Sequence, residues 1–104
     1  MKIIKDLSEM IEEELEGAEN YAKHALAVRT EHPSLADVFY NISTQEMHHV
    51  DMLHEEVAKI IKAHREAHGS PPESMLAIYN WLHARQIEDA KAVKILQAEY
   101  REKM

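Results

Sequence analysis

Apolar residues recur every three or four positions along most of the chain, which is the period of an α-helix. The first such segment begins at Asp6, which forms a capping pair with Glu9 three residues later, and it runs to about Glu31. The pattern therefore predicts a long first helix. Its apolar stripe consists of Leu7, Met10, Ile11, Leu15, Ala18, Ala22, Ala25 and Val28.

Pro33 ends this segment, and a second one begins at Ser34, with Asp37 completing a capping signal of the same kind. The second segment reaches about His68, and Gly69 is suited to cap its carboxyl end. A second, longer helix is therefore expected. Its stripe consists of Leu35, Val38, Phe39, Ile42, Leu53, Val57, Ile60 and Ile61.

The sequence Ser70-Pro71-Pro72-Glu73 signals the start of a third helix, with Ser70 at the cap and Glu73 closing a capping box. We therefore expect an all-α, antiparallel three-helix chain with short connections that forms one domain over residues 1–104. The third stripe consists of Leu76, Ile78, Tyr79, Leu82, Ile87, Ala90, Val93, Leu96 and Tyr100.

The predicted helices are long for so short a chain. At a rise of 1.5 Å per residue, the second helix alone would be roughly 50 Å long. Three such rods built from 104 residues make a thin bundle with little interior. The apolar stripes therefore need further partners, and we expect a homodimer or a higher homo-oligomer in which helices complete their burial across a two-fold axis.

Composition narrows the function classes. The chain has no cysteine, which excludes disulfides, thiolate metal sites and thiol catalysis. Its net charge of -7 argues against nucleic-acid binding, which needs a basic face. No apolar run approaches the roughly 18 residues of a membrane span, and the amino terminus lacks a signal-peptide core. We therefore expect a cytoplasmic protein that binds neither nucleic acid nor membranes.

Three ionisable residues interrupt the apolar stripes. Glu46 and His49 stand at helical steps between Ile42 and Leu53, so we expect both to lie on the packing face of the second helix. Glu14 follows Ile11 at the same spacing in the first helix. Buried ionisable groups are costly unless they are paired or bind a metal. These residues are therefore the candidates for chemistry.

Carboxylate and imidazole groups are ligands of iron and manganese, and helix bundles present them from facing helices. A di-iron carboxylate bundle takes a Glu from each of two helices and a Glu-x-x-His from each of two others. This chain offers one Glu, Glu14, and one Glu-x-x-His, Glu46 to His49, while residues 88–91 cannot supply a second such motif. Two chains would supply the complete set for two metal ions. Iron, manganese and zinc all accept these ligands.

At these residues the chain resembles the ferritin-like superfamily. Residues 13–21, Glu-Glu-Leu-Glu-Gly-Ala-Glu-Asn-Tyr, are similar to the Glu-x6-Tyr pattern of ferritin and rubrerythrin first helices, and residues 45–49, Gln-Glu-Met-His-His, to their Glu-x-x-His. The likeness covers roughly residues 7–60. It is greatest to the encapsulated ferritins, half-length relatives that build a di-iron site between two subunits, which implies dimerisation into a ferritin-like four-helix bundle.

The resemblance implies site residues and an activity. Glu14, Glu46 and His49 would bind iron, two ions per dimer, and Tyr21 would lie close to the site as the candidate catalytic residue. Glu13 and Glu16 match positions that draw ions toward the site. The implied activity is that of a ferroxidase-type oxidoreductase or iron-handling protein, or else peroxide reduction. Its oxidant would be O2 or peroxide, and any electron donor would be a separate molecule.

Metal-free explanations of the same residues exist. Glu and His can form a buried ion pair beside Tyr21 as a hydrogen-bonded core aromatic, in a helical oligomerisation module whose stripe charges set the register. Glu56 suits either an extra carboxylate near the site or a salt bridge at its rim. His64 and His68 suit either a surface zinc site or favourable positive charges at the carboxyl end of the second helix. Tyr79 and Trp81 suit core or interface anchors.

Overall fold

A computed structural model of the chain describes residues 2–102. Over these residues the chain forms three helices, α1 (Lys2–Val28), α2 (Pro33–His68) and α3 (Glu73–Glu102), and no strand. The expected all-α three-helix chain is confirmed. Residues 1, 103 and 104 of the expected domain lie outside the described part.

The helices run up, down and up. Ala18 of α1 lies beside Ser43 of α2, and Tyr21 lies beside Phe39, so these two helices are antiparallel. Ser8 of α1 lies beside Gln86 of α3, and Ala18 is linked through Ser43 to Gln97, so α3 runs in the same direction as α1. α1 packs along most of α2, whereas α3 lies mainly against α1 and approaches α2 at fewer points. The bundle measures 56 × 19 × 18 Å, so it is the thin rod that the helix lengths predict.

The ends of α1 differ from those predicted. The helix begins at Lys2 rather than Asp6, and the Asp6 carboxylate pairs one turn back with the Lys2 ammonium at 3.6 Å. It ends at Val28 rather than Glu31, where the Val28 carbonyl accepts a hydrogen bond of 2.7 Å from the His32 amide. Acidic residues near a helix start serve equally well inside the first turns, so Asp6 did not mark the boundary.

Pro33 begins α2 rather than only ending α1. It occupies the first turn, where its missing N–H costs no hydrogen bond, and the residue before it, His32, makes no side-chain capping bond. The predicted Ser34–Asp37 cap is therefore wrong, and Asp37 instead accepts a hydrogen bond from the Tyr100 hydroxyl of α3. The predicted end is confirmed: Gly69, with φ at 78°, donates its amide to the Arg65 carbonyl.

The start of α3 also lies later than expected. Its first residue is Glu73, and the Pro72 carbonyl accepts from the amides of Met75 and Leu76 at 3.0 and 3.1 Å. Pro72 rather than Ser70 thus stands at the start of the hydrogen-bonded turn, and the Ser70 cap is wrong.

Small side chains make the α1–α2 contact close. Ala18, Ala22 and Ala25 of α1 are completely buried, as are Ala36 and Ser43 of α2. Residues without long side chains let two helix backbones approach each other. The α1 stripe is confirmed at most positions, although Met10 is 49% exposed and not part of this core. The larger residues of the α1–α2 core are Ile11, Leu15, Met47 and Val50, with Val93 of α3 completing the cluster.

The buried side of α2 is one position away from the predicted stripe. Ala36 and Ser43 face α1, while Leu35 and Val38 of the predicted stripe remain 43% and 49% exposed. The prediction is wrong here because it followed the larger apolar side chains, whereas the close contact selects small ones. Toward the carboxyl end, Leu53 and Val57 do pack against the core as expected.

α3 is held by two buried glutamines. Gln97 donates its Nε2 to the Ser43 hydroxyl at 3.0 Å, and that hydroxyl donates to the Ala18 carbonyl at 2.7 Å. Gln86 donates to the Ser8 hydroxyl at 2.9 Å, and its Oε1 lies 2.9 Å from the His54 Nε2. Each glutamine thus links all three helices. Two residues of the predicted α3 stripe, Ile78 and Ile87, are exposed instead. Trp81 is exposed as well, so of its two predicted roles that of a core anchor is wrong.

Candidate metal centre

The structure brings Glu14, Glu46 and His49 together. They line one shallow depression where α1 meets α2, together with Glu13, Ile42 and Gln45. Glu14 comes from α1. Glu46 and His49 are separated by about one turn of α2, so they project from the same side of that helix. The contact between the two antiparallel helices then places the three side chains side by side.

Glu14 and His49 are in direct contact. The His49 Nδ1 lies 3.3 Å from the Glu14 Oε2, and their side chains are 53% and 31% exposed. The expectation that His49 points into the packed interior is therefore wrong within one chain, and Glu14 is only partly buried. The buried side of α2 passes through Met47 and Val50. Glu46 therefore lies at the edge of that side, and His49 lies on the open surface.

Glu46 is half-buried beside these two groups. Burial raises the pKa of its carboxyl group above the ordinary value, the nearby Glu14 carboxylate raises this pKa further, and His49 partly lowers it. Two carboxylates that approach each other in a partly desolvated position favour a proton or a cation between them. Without such a proton or cation, the negative charge of Glu46 is unfavourable at this position.

Gly17 makes room for Glu46. A Cβ atom at position 17 would stand 2.0 Å from the Glu46 Oε2 and 3.0 Å from its Cδ, so the carboxylate lies directly against the backbone of α1. The spacing of apolar and ionisable positions did not point to this residue. A signal was available, because a glycine in the middle of a helix costs about 1 kcal/mol relative to alanine and calls for a packing reason.

Apolar side chains flank the three candidate ligands along both helices. Steps of three or four residues place Leu35, Val38 and Ile42 in line with Glu46 and His49 on α2. On α1, Met10 precedes Glu14 by one turn and is exposed. We call this surface the outer face; its residues are Met10, Glu14, Leu35, Val38, Ile42, Glu46 and His49.

Tyr21 does not line the depression. Its ring packs against Phe39, with the centroids 5.7 Å apart, and is half-buried. Its predicted catalytic role stays a prediction, and its observed contact is that of a packed aromatic.

Other candidate residues are accounted for locally. Glu56 forms an exposed salt bridge with Lys59 at 3.3 Å, as the rim interpretation expected. The rings of His64 and His68 lie 4.8 Å apart at the end of α2. The Arg85 guanidinium lies over the ring of Trp81, 4.9 Å from its centroid.

Within residues 2–102, no three or more carboxylate and imidazole side chains are arranged to hold a metal ion. The three candidate ligands thus line one depression but do not form a metal-holding group within the described residues. No described helix is long and apolar enough to cross a bilayer. Comparisons with protein-family models, curated proteins and solved structures gave no significant match for this chain.

Proposed function

We propose that two copies of the chain associate through their outer faces and share one dinuclear metal centre. Glu14, Glu46 and His49 of each copy would be the ligands, giving four carboxylates and two imidazoles in the complete site. The observation that carries the proposal is the convergence of these three side chains, from two helices, on an open face bordered by apolar residues.

The chemistry of the donors supports a metal. A histidine that donates its Nδ1 proton to a carboxylate presents the lone pair of Nε2, and ligating histidines are commonly oriented in this way. The contact of 3.3 Å between His49 and Glu14 provides such an orientation, and it leaves the second oxygen of Glu14 for a metal. The raised pKa of Glu46 marks a carboxylate that a nearby cation would stabilise.

The surface around the donors supports a second copy. Leu35, Val38 and Met10 are each more than two-fifths exposed, although they are large apolar side chains on amphipathic helices. An isologous contact across a two-fold axis would cover the same residues on both chains and bring the two half-sites together. Four long helices, α1 and α2 from each copy, would then form a four-helix bundle.

The function that fits this centre best is iron handling by a ferroxidase, with peroxide reduction as the related activity. Iron(II) would be the substrate, and O2 or peroxide would accept its electrons; reduction of one peroxide to two waters takes two protons and one electron from each of two irons. This assignment rests on the donor set and on the resemblance to the encapsulated ferritins. Manganese and zinc fit the same donors.

Iron content and oligomer mass, measured on the same preparation, test the proposal. We expect about one iron per chain in a dimer or larger assembly after growth with added iron. Glu46→Ala should lose both metal and assembly because its carboxylate would be shared between copies. A metal-free monomer would exclude the shared centre.

A second variant separates ligand position from fold stability. Gly17→Ala places a methyl group where the Glu46 carboxylate lies, and the flexible side chain can move away at small cost. We expect unchanged or slightly higher stability without metal, since alanine favours a helix by up to about 1 kcal/mol, but at least tenfold weaker iron binding. Asn20→Ala, an exposed α1 position, controls for helix propensity and should leave iron binding unchanged.

A metal-free oligomerisation module is the second candidate, and the direct Glu14–His49 contact favours it. In that case the ion pair sets the register between helices. Glu46→Ala would then relieve a carboxylate in an unfavourable environment and leave assembly unchanged or stronger. Assembly that persists in this variant, without bound metal in the unmodified protein, would identify the module.

A further inference from the structure

A second cavity lies away from the outer face, between the amino-terminal half of α1, the carboxyl-terminal half of α2 and the first half of α3. Its volume is about 560 Å³, within the range of small-molecule sites. Most of its lining is apolar and comes from all three helices, including Ile4, Ile11, Val57, Ile61, Leu76 and Leu82.

Polar anchoring of α3 accounts for this cavity. Gln86 is buried and bonded to Ser8 of α1 and His54 of α2, and these three residues form part of the cavity wall. Amino-terminal to Gln86, Ile78 remains exposed and Leu82 is half-buried, so α3 does not close tightly against α2 there. The cavity therefore lies where α3, held to α1 and α2 through Gln86, leaves a gap beside its amino-terminal half.

The charges around the cavity have one sign. Lys2, Lys5 and Arg65 line it, and no aspartate or glutamate is among its lining residues. The chain carries 19 acidic residues and a net charge of -7, so an all-basic rim is contrary to its overall character. Lys2 shares its charge with Asp6 at 3.6 Å, which leaves Lys5 and Arg65 as the main cations for a ligand.

We propose that this cavity binds a single-chain carboxylate amphiphile, a molecule of the fatty-acid class. Its hydrocarbon chain would lie along the apolar wall, and its carboxylate would meet Lys5 and Arg65 at the rim. A long apolar chain with one anionic end matches both the apolar lining and the basic charge of the rim. The proposal is independent of the metal centre, which lies on the opposite flank of the α1–α2 pair.

Calorimetric titration of the full chain with octanoate, decanoate and dodecanoate, below their micelle concentrations, tests it. Affinity should rise up to about fourfold per added methylene, as burial of the chain requires. Decanol, which lacks the charge, should bind about tenfold more weakly than decanoate. Equal affinity for decanol and decanoate, or binding only to vesicles of anionic lipid, would overturn the proposal.

Variants at the rim test the head-group contact. Lys5→Gln combined with Arg65→Gln should weaken decanoate binding about five- to tenfold and leave decanol binding unchanged, because both residues are exposed and contribute mainly charge. Lys59→Gln combined with Lys62→Gln makes the same charge change at α2 positions outside the cavity, and should have no effect. If decanoate binding were weakened equally in both double variants, the effect would come from the net charge of the protein, and the proposed contact of the carboxylate with Lys5 and Arg65 would be contradicted.

A filling variant tests the apolar wall. Ile61→Trp places a larger ring in the cavity and should abolish binding of both decanoate and decanol, with circular dichroism confirming the helices. Oligomer mass is measured in the same samples, because a second copy of the chain is the other occupant that this surface could take. A mass that falls in Ile61→Trp, with decanoate affinity unchanged, would assign the cavity to a subunit contact and overturn the proposal.

Discussion

Two sides of α2 differ in composition and in what covers them. The side facing α1 is built from Ala36, Ser43, Met47 and Val50, and it is buried. The outer face lies one position away and carries larger apolar residues, such as Leu35 and Val38, that one chain leaves exposed. Large apolar side chains are thus left uncovered on one side of α2, while small ones are buried on the other.

This difference separates two tasks of one helix. Small residues on the inner side allow the backbones of α1 and α2 to approach closely, and the Ser43 hydroxyl continues that contact to α3. The outer face combines apolar area with two carboxylates and an imidazole, and in the proposed shared centre a partner and a cation would cover it. Under that proposal, folding of the chain and assembly of the site would depend on different residues.

The largest expected effect comes from truncating the inner core. Leu15 is 2% exposed between α1, α2 and α3, and Leu15→Ala should cost about 2–5 kcal/mol of unfolding free energy because it leaves a cavity. Leu35→Ala, the same change on the outer face, should cost at most about 1 kcal/mol in the monomer but weaken association. Urea denaturation at low protein concentration, with mass measured at high concentration, compares them. Equal losses of stability would contradict the separation of the two sides.

A smaller effect is expected at the polar junction of the three helices. Ser43→Ala removes the hydroxyl that bonds Ala18 and Gln97 without adding volume to the close helix contact, and should cost about 1–3 kcal/mol because buried polar groups lose their partners. Thr44→Val, whose hydroxyl bonds only the nearby Asn41 carbonyl at a more exposed position, is the control.

Adding Gln97→Leu to Ser43→Ala removes the unsatisfied amide as well. The double variant should recover part of the lost stability, since an apolar pair leaves fewer buried groups unpaired. Thermal or urea unfolding of the four members of this cycle gives the coupling between the two residues. Additive losses would mean that Ser43 and Gln97 do not act as one hydrogen-bonded unit.

The sequence could predict the helices because their apolar spacing and the Gly69 cap are local features. The choice of buried side was less accessible, since it depends on which residues lie opposite. Ala36 and Ser43 are weak signals by hydrophobicity, and they are buried because Ala18, Ala22 and Ala25 face them. Gln86 and Gln97 are ordinary surface residues by composition, and their burial follows from bonding partners on other helices.

The candidate site was predictable to a different extent. The convergence of Glu14, Glu46 and His49 follows from spacing on two antiparallel helices, and the structure brings them together as expected. The exposure of these side chains could not be predicted in the same way, because a shift of one residue in the buried side of α2 moves a side chain from the core to the outer face. The role of Gly17 required the position of the Glu46 carboxylate, which only the packed pair of helices provides.

The smallest effect concerns the charge of Glu46, and its sign is specific. Because its pKa is raised in the folded chain, the folded state retains a proton that the unfolded state has lost, and stability falls as pH rises from about 4.5 through the folded pKa. Without metal, Glu46→Gln should therefore be more stable than the unmodified protein at pH 7, and the difference should vanish below about pH 4.

Thermal unfolding across this pH range, with the metal removed by a chelator, measures the difference. Glu13→Gln removes a charge from an exposed position of the same depression and controls for net charge. Addition of iron(II) under anaerobic conditions should then reverse the order, because a bound cation stabilises the Glu46 carboxylate and the glutamine cannot replace it as a ligand. The same residue would destabilise the free chain and stabilise the loaded assembly. If iron left the order unchanged, the outer face would be a surface for association without a metal.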